Sequence, residues 1–413
     1  MLRLPFIQNE IKLAAKLNNM ISVGDAKKII TGNIKPLPPV NFALEKAGGK
    51  ILAEDIYSFI DIPAYAQSSM DGYAISFDGW QQYKKLKIEG ESAAGNSSAT
   101  RLVPAMAMRI FTGAPVPDGA DTVVMQEKVK TENGHLLIDD NKLEAGNNVR
   151  PAGSEIKKGA LGLAKDSPLT PAAIGFLAGI GATSVSAYPL PSVSIIVTGN
   201  ELQHPGKPLA YGQVYESNSF TLRAILRQLG IGDITVYYAD DQLQSVIDSL
   251  NRSLTQSDLI LLTGGISVGD YDFVLKATEA CEVKQLFHKI KQRPGKPLYF
   301  GKKENKIVFG LPGNPSSVLT CFYEYVLAAI SLLSKKDVRL KTINAPLTKP
   351  IQKNTNLTHF LKGFYDGSSA TALEAQESYK MNSFAKANCL IQVNEEMTEC
   401  KEGESVDIHL LPA

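Results

Sequence analysis

Apolar residues along this chain change their period several times, and each change marks a different kind of element. Leu222, Ile225, Leu226 and Leu229 recur at i, i+3, i+4 and i+7, one face of a helix that Gly230 is placed to end. Leu243, Val246, Ile247 and Leu250 repeat the stripe. Around these helices lie short unbroken apolar runs: Val193–Val197, Ile234–Tyr238, Leu259–Leu262 and Ile307–Phe309. Such runs suit strands covered on both faces of a parallel sheet. Strand and helix alternate from about 191 to 334, so this stretch is expected to form an α/β doubly wound domain.

Elsewhere the texture differs. Ser22-Val23-Gly24-Asp25 is a helix-start pattern that Ala26–Ile30 continues. From about 58 to 146 the chain reads as strands. The clearest hairpin pairs Thr122–Val129 with His135–Ile138 across Glu132-Asn133-Gly134, where Asn-Gly suits the positive φ angles of a tight turn. Helical texture returns at Thr170-Pro171, a cap followed by proline in the first turn, and stops near Gly181. The expected layout is a discontinuous mixed helical domain, 1–57 plus 147–190, interrupted by a β insertion domain at 58–146. After the α/β domain, 335–413 reads as a small C-terminal β-barrel-like domain, with turns at Asp366-Gly367-Ser368 and Lys401-Glu402-Gly403.

Composition narrows the classes. The net charge of +1 gives no general footprint for nucleic acid, so any anion site must be local. No unbroken apolar run approaches the roughly 18 residues that span a bilayer, and Met1-Leu2-Arg3-Leu4-Pro5 lacks the features of a signal peptide. Cys281, Cys321, Cys389 and Cys400 are far apart in the chain and read as reduced, buried thiols of a cytoplasmic protein.

In open α/β sheets ligands bind beyond the carboxyl ends of the strands. Three expected strands end in unusual loops there: Thr198-Gly199-Asn200-Glu201; Thr263-Gly264-Gly265-Ile266-Ser267-Val268-Gly269-Asp270-Tyr271-Asp272; and Leu311-Pro312-Gly313-Asn314-Pro315-Ser316-Ser317. Glycine lets backbone N–H groups approach a ligand, and Ser316 or Ser317 at a helix start adds anion-binding potential. Carboxylates gather at the same edge, namely Glu201, Asp240, Asp241, Asp270 and Asp272, a hard-oxygen set suited to Mg2+. Between two of these loops runs His288-Lys289-Ile290-Lys291-Gln292-Arg293-Pro294-Gly295-Lys296-Pro297. An extended backbone would put Lys289, Lys291 and Arg293 on one face, a candidate for phosphate or an oxyanion. In the β insertion, Asp71 sits in Ser69-Met70-Asp71-Gly72-Tyr73-Ala74, and Thr112 in a Gly/Pro turn, Thr112-Gly113-Ala114-Pro115-Val116-Pro117.

These two insertion motifs, with Gly264–Gly269, Pro294-Gly295-Lys296-Pro297 and Leu311–Pro315, resemble the signature loops of the molybdopterin molybdotransferase family, which includes MoeA and the gephyrin E domain. The resemblance is close to full length. It implies four domains, a homodimer with a shared active-site cleft, and transfer of molybdate to adenylylated molybdopterin with release of AMP, aided by Mg2+. A molybdopterin adenylyltransferase would be the pterin donor, and neither nucleic acid nor membrane is an expected partner. The catalytic residues it implies are Asp71, Thr112, Asp240, Asp272, Lys289 and Arg293, with Glu201, Asp240 and Asp272 around the metal. Thr198, Gly199, Gly264, Gly265, Ser267, Gly295, Lys296, Pro312, Gly313, Asn314, Lys362 and Ser378 would bind substrate. Asn200, Glu155, Arg293 and Lys362 depart from the family's commonest residues, and Lys362 lacks the fork that Arg offers an oxyanion. The sequence shows no nucleophile–base pair, which fits a reaction run by positioning and electrostatics. Two other readings are a non-catalytic pterin-binding scaffold and a molybdopterin adenylyltransferase.

Overall fold

A computed structural model describes residues 20–95, 101–266 and 273–412. The chain divides into two compact units, one of residues up to 38 together with those from 188 onward, the other of residues 39–187.

The first unit is built on β1 (Val193–Thr198), β2 (Ile234–Ala239), β3 (Leu259–Thr263), β4 (Lys284–Lys289), β5 (Gln292–Arg293), β6 (Pro297–Lys303) and β7 (Lys306–Leu311). All but β5 join one sheet in the order β2-β1-β3-β7-β6-β4. The first four strands are parallel, with Ile195 opposite both Val236 and Leu261, while β6 and β4 complete the sheet antiparallel. Because side chains alternate along a strand, each apolar run feeds two cores. Val193, Ile195, Val197, Leu259, Leu261 and Phe309 enter one core, and Ile196, Ile260, Leu262 and Val308 the other. Helices cover both faces. α1 (Val23–Asn33) and α2 (Asn218–Gln228) pack on the first core, while α3 (Leu243–Gln256) and α4 (Phe273–Ala280) pack on the second. The cap at Ser22 forms as its sequence suggests, with Ser22 Oγ accepting from the Asp25 N–H at 3.0 Å.

After β7 the chain enters α5 (Pro315–Cys321), passes a π turn at Phe322–Val326 and continues as α6 (Leu327–Ser334). This Pro315–Ser334 stretch is long and apolar enough to cross a membrane, but 78% of its apolar window is buried inside the protein. It is the central core helix. The one charged residue that interrupts its apolar pattern, Glu324, is buried and paired with Lys27 and His409.

The tail forms a second sheet from β8 (Lys341–Pro346), β9 (Thr358–Tyr365), β10 (Cys389–Val393) and β11 (Ser405–Leu410), in the order β5-β9-β10-β11-β8. The presence of β5 corrects the one-strand reading of the basic segment. Lys289 ends β4 in the α/β sheet, whereas Arg293 lies in β5, paired in parallel with His359 of the tail sheet. Two short strands in different sheets cannot share one alternating face.

In the second unit a six-stranded sheet runs Thr122–Met125, Gly72–Ile75, Met106–Ile110, Lys85–Ser92, His135–Ile138, Val129–Glu132. The hairpin through Asn133 and Gly134 is present, both residues having positive φ, but it is shorter than expected. A 3-10 turn at Gln126–Lys128 breaks the first strand, and Thr122–Met125 pairs instead with Gly72–Ile75. The helix Pro171–Gly179 is capped by Thr170 Oγ1, which accepts from the Ala173 N–H at 3.1 Å. All four cysteines are buried and free.

Candidate functional site

In the first unit the carboxyl end of the parallel sheet and the start of α5 face the tail sheet around a cavity of about 540 Å³. Its walls combine three stretches distant in sequence. Arg293, Gly295 and Lys296 come from the β5–β6 connection. Pro312, Gly313 and Asn314 lead into α5, and Gln376 to Tyr379 come from the tail. The tail loop is bonded directly to the helix start: Asn314 Nδ2 donates to Ser378 Oγ at 2.8 Å, and the Ser316 N–H donates to the Ser378 carbonyl at 3.1 Å. Of the residues proposed from sequence, Arg293, Gly295, Lys296, Pro312, Gly313, Asn314 and Ser378 therefore meet in one place.

The electrostatics favour an anion. The side chains of Arg293 and Lys296 are exposed at the cavity, and the one lining carboxylate among the described residues, Glu377, is taken by Lys380 at 2.9 Å. That hydrogen bond holds the Glu377 carboxyl below its ordinary range. Lys291, by contrast, turns to Glu395 at 3.8 Å and does not line the cavity.

Three buried polar atoms beside the glycine loops have no hydrogen-bond partner among the described residues: Asn218 Oδ1, Thr263 Oγ1 and Ser316 Oγ. Leaving a buried polar atom unpaired costs on the order of 1–3 kcal/mol, so such atoms mark places where a ligand can supply the partner. They belong to one neighbourhood. Asn218 Nδ2 donates to the Gly313 carbonyl at 2.9 Å, and a Cβ on Gly313 would come within 3.8 Å of Gly264 Cα, next to Thr263.

Thr198, Gly199, Gly264 and Gly265 sit at the adjoining strand ends but do not line the cavity. Thr198 is buried, its Oγ1 donating to the Thr263 carbonyl at 3.3 Å. A Cβ on Gly264 would fall 2.4 Å from the Thr198 carbonyl oxygen, so only glycine allows β1 and the second loop to approach this closely. Thr198 thus shapes the loop from beneath. Glu201 and Asp240 are exposed just past the ends of the neighbouring strands β1 and β2. Asn200 and Asp241 lock the two loops together: the Asn200 N–H donates to Asp241 Oδ2 at 3.0 Å, and the Asp241 N–H to Asn200 Oδ1 at 3.1 Å. Among the described residues no three His, Cys, Asp or Glu side chains form a metal-binding group. Asp272, Asp270 and Ser267 lie outside the described residues.

Lys362 takes a different place from the one proposed. It is buried in β9, with its ammonium donating to the carbonyls of Ala375 (2.6 Å), Glu377 (3.3 Å) and Lys380 (3.1 Å). Burial lowers its pKa. Its charge organises the loop that carries Ser378 and does not line the cavity. Lys289 ends β4 half-buried and also stays out of the cavity wall. Sequence reasoning missed Gln376, Glu377, Tyr379 and Leu357, whose loops carry neither glycine motifs nor charge runs. Gln376 bonds to both backbone groups of Lys362, at 2.9 and 2.8 Å.

In the second unit Asp71 Oδ1 accepts from both the Thr112 N–H (2.8 Å) and the Thr112 hydroxyl (2.9 Å). These bonds hold the Asp71 carboxyl below its ordinary range, and the charge of Arg109 adds to the effect. Arg109 donates to the Gly72 carbonyl at 3.0 Å and to Gln126 Oε1 at 2.6 Å, and packs on Tyr73 and Phe111.

A doubly wound domain with glycine loops at the carboxyl ends of its strands and a basic cavity against the tail sheet has the layout of a ligand-binding α/β domain. Comparison with known proteins makes this specific. Residues 21–181 match the MoeA N-terminal region (domain I and II), 194–331 a probable molybdopterin binding domain, and 344–411 the MoeA C-terminal region (domain IV). The chain is 35% identical to a molybdopterin molybdenumtransferase of Haemophilus influenzae over 380 residues, 89% of this chain and 94% of the relative. It is 32% identical to that of Staphylococcus aureus (strain Mu50) over 410 residues, 96% and 97% of the two chains. Two solved structures of MoeA protein from Pyrococcus horikoshii match with TM-scores of 0.82 and 0.74 at 28% and 26% identity, each covering 95% of this chain and 100% of its own. The chain belongs to the MoeA family.

Proposed function

We propose that this protein is a molybdopterin molybdotransferase, which combines adenylylated molybdopterin with molybdate to give molybdenum cofactor and AMP. The observation that carries this reading is the basic cavity of Arg293 and Lys296, set against the start of α5 beside three unpartnered buried polar atoms. Its chemistry suits an oxyanion next to a phosphorylated ligand, and the MoeA-family relatives bear this activity in their names. The chain's own groups act by holding and orienting: Arg293 and Lys296 neutralise anionic oxygens, and the backbone of Gly313 and Asn314 faces the ligand. Asp71, kept ionised by Thr112, offers a fixed carboxylate. Glu201 and Asp240 suit a Mg2+ that takes its other ligands from water and substrate phosphate, and such an ion would polarise the pyrophosphate.

The proposal includes a cytoplasmic homodimer. Two copies would share each site, one offering Asp71 and Thr112 and the other the basic cavity, and a molybdopterin adenylyltransferase would supply the pterin. It also includes the four-part division into 1–57 with 147–190, 58–146, 191–334 and 335–413. The scaffold and adenylyltransferase readings are less favoured, since the matches extend well beyond the α/β domain into both flanking regions.

The test is direct. Purified protein incubated with adenylylated molybdopterin, molybdate and Mg2+ should release AMP in step with cofactor. AMP release without cofactor, or neither product, would overturn the reading. Mixing inactive Asp71→Ala with inactive Arg293→Ala should restore part of the activity through hybrid dimers. No recovery after confirmed subunit exchange would place the whole site in one chain.

A further inference from the structure

A buried amide braces the basic loop of the cavity from beneath. Gln292 is fully buried and its side chain points inward. Nε2 donates to the carbonyls of Pro294 (3.0 Å) and Gly295 (3.1 Å) and lies 3.6 Å from Cys321 Sγ, while Oε1 accepts from the Tyr325 hydroxyl. An amide can present either end to the loop with almost the same shape. The two loop carbonyls can only accept and so take the NH2 group, and the amide oxygen left on the other side is held by the Tyr325 hydroxyl. Burial raises the Tyr325 pKa well above its ordinary range, so the proton stays in place. Gly295 is pressed onto the same floor, where a Cβ would meet Cys321 Sγ at 2.4 Å and Gln292 Nε2 at 2.9 Å.

The two cations of the cavity, Arg293 and Lys296, flank the two residues whose carbonyls Gln292 holds. Tyr325 stands in the π turn Phe322–Val326 of the core helix, a type of helix irregularity frequent at functional sites. The loop's shape is thereby tied to the buried core helix.

We propose that Gln292, anchored by Tyr325, is a positioning residue that keeps Arg293 and Lys296 in the geometry that binds the anion. This inference rests on reading the cavity as an oxyanion and phosphate site. Tyr325→Phe removes one hydroxyl and keeps the ring. Gln292→Met keeps approximate size and removes the donors. Both leave every charge in the cavity intact.

The experiment measures binding of molybdate alone and of inorganic phosphate alone to the full chain across a range of salt, with Arg293→Ala alongside. Steady-state turnover and thermal melting accompany it. Tyr325→Phe is expected to weaken anion binding about tenfold, the effect of one misplaced hydrogen-bonding group. KM for molybdate should rise while kcat changes little. The salt dependence should remain that of the parent, because no charge is lost, whereas Arg293→Ala should flatten it. Combining Tyr325→Phe with Gln292→Met should cost no more than the larger single effect, since both break one link. If Arg293→Ala weakens the anion but both positioning variants bind like the parent, the inference fails and the reading of the cavity stands. If Arg293→Ala also binds like the parent, both fail. Should Tyr325→Phe fold poorly, Gln292→Met decides the question by the same readouts.

Discussion

The carboxylate of Asp71 is held by Thr112 twice over, by the backbone N–H at 2.8 Å and by the side-chain hydroxyl at 2.9 Å. The two residues stand 41 positions apart, at the ends of paired strands Gly72–Ile75 and Met106–Ile110. The two hydrogen bonds favour the ionised carboxylate and set its direction, and they can be removed separately.

Thr112→Val should keep the backbone bond and lose the hydroxyl, lowering kcat/KM about tenfold with little change in melting temperature. Asp71→Ala, which removes the carboxylate itself, should lose much more. Turnover and melting curves of the two variants check this. A Thr112→Val enzyme as impaired as Asp71→Ala would assign the hydroxyl a direct role, and an unimpaired Asp71→Ala would remove the pair from the site.

Arg293 and Lys291 are two residues apart but face different partners, the cavity and Glu395. Arg293→Ala should raise the molybdate concentration needed for half-maximal product formation by about tenfold or more, the loss of one charge-assisted contact. Lys291→Ala should change it little, because its ammonium is turned to Glu395 and away from the cavity. Product formation across molybdate concentrations distinguishes them, and equal effects would contradict the geometry.

The buried carboxylate of Glu324 joins three distant segments, with Lys27 of α1 at 2.7 Å and His409 of β11 at 2.5 Å. Burial alone would raise its pKa, but the His409 hydrogen bond and the Lys27 charge outweigh that, and the net shift is downward. A carboxyl with a folded pKa below its unfolded value, about 4.3, stabilises fully above that value. The contribution is lost as pH falls through the lower folded pKa. Glu324→Ala should destabilise the protein by about 3–5 kcal/mol at neutral pH, and its unfolding should depend less on pH over that acid window. Denaturant unfolding of parent and variant at a series of pH values measures both. An unchanged acid slope would show that other carboxylates set it.

Glu201 and Asp240 are exposed at adjacent strand ends. Glu201→Gln and Asp240→Asn should each raise the Mg2+ requirement and slow turnover on the order of 10²-fold, a few kcal/mol of barrier. Titrating Mg2+ against rate for both variants tests the pair. Unchanged metal dependence in the two would leave Mg2+ to the substrate phosphates.

Much of this architecture could be read directly from the chain. The four parallel strands, the striped helices, the caps at Ser22 and Thr170 and the Asn133-Gly134 turn all follow from local periodicity and turn chemistry, which depend on neighbours in sequence. The glycine loops and the basic segment were legible for the same reason, and the family resemblance joined them into one site. What the sequence could not determine was which of these residues meet. Lys289 and Arg293 share a face if the segment is read as one extended strand, yet the chain changes sheets between them, because the Gln292–Arg293 strand finds its partner in Thr358 and His359, some 66 residues away. Lys362 reads as an oxyanion ligand until the fold surrounds its ammonium with three carbonyls. Gln292 and Tyr325 carry no sequence signal at all. Their importance arises only when a buried amide, a phenol and two loop carbonyls are brought together, and only long-range packing does that.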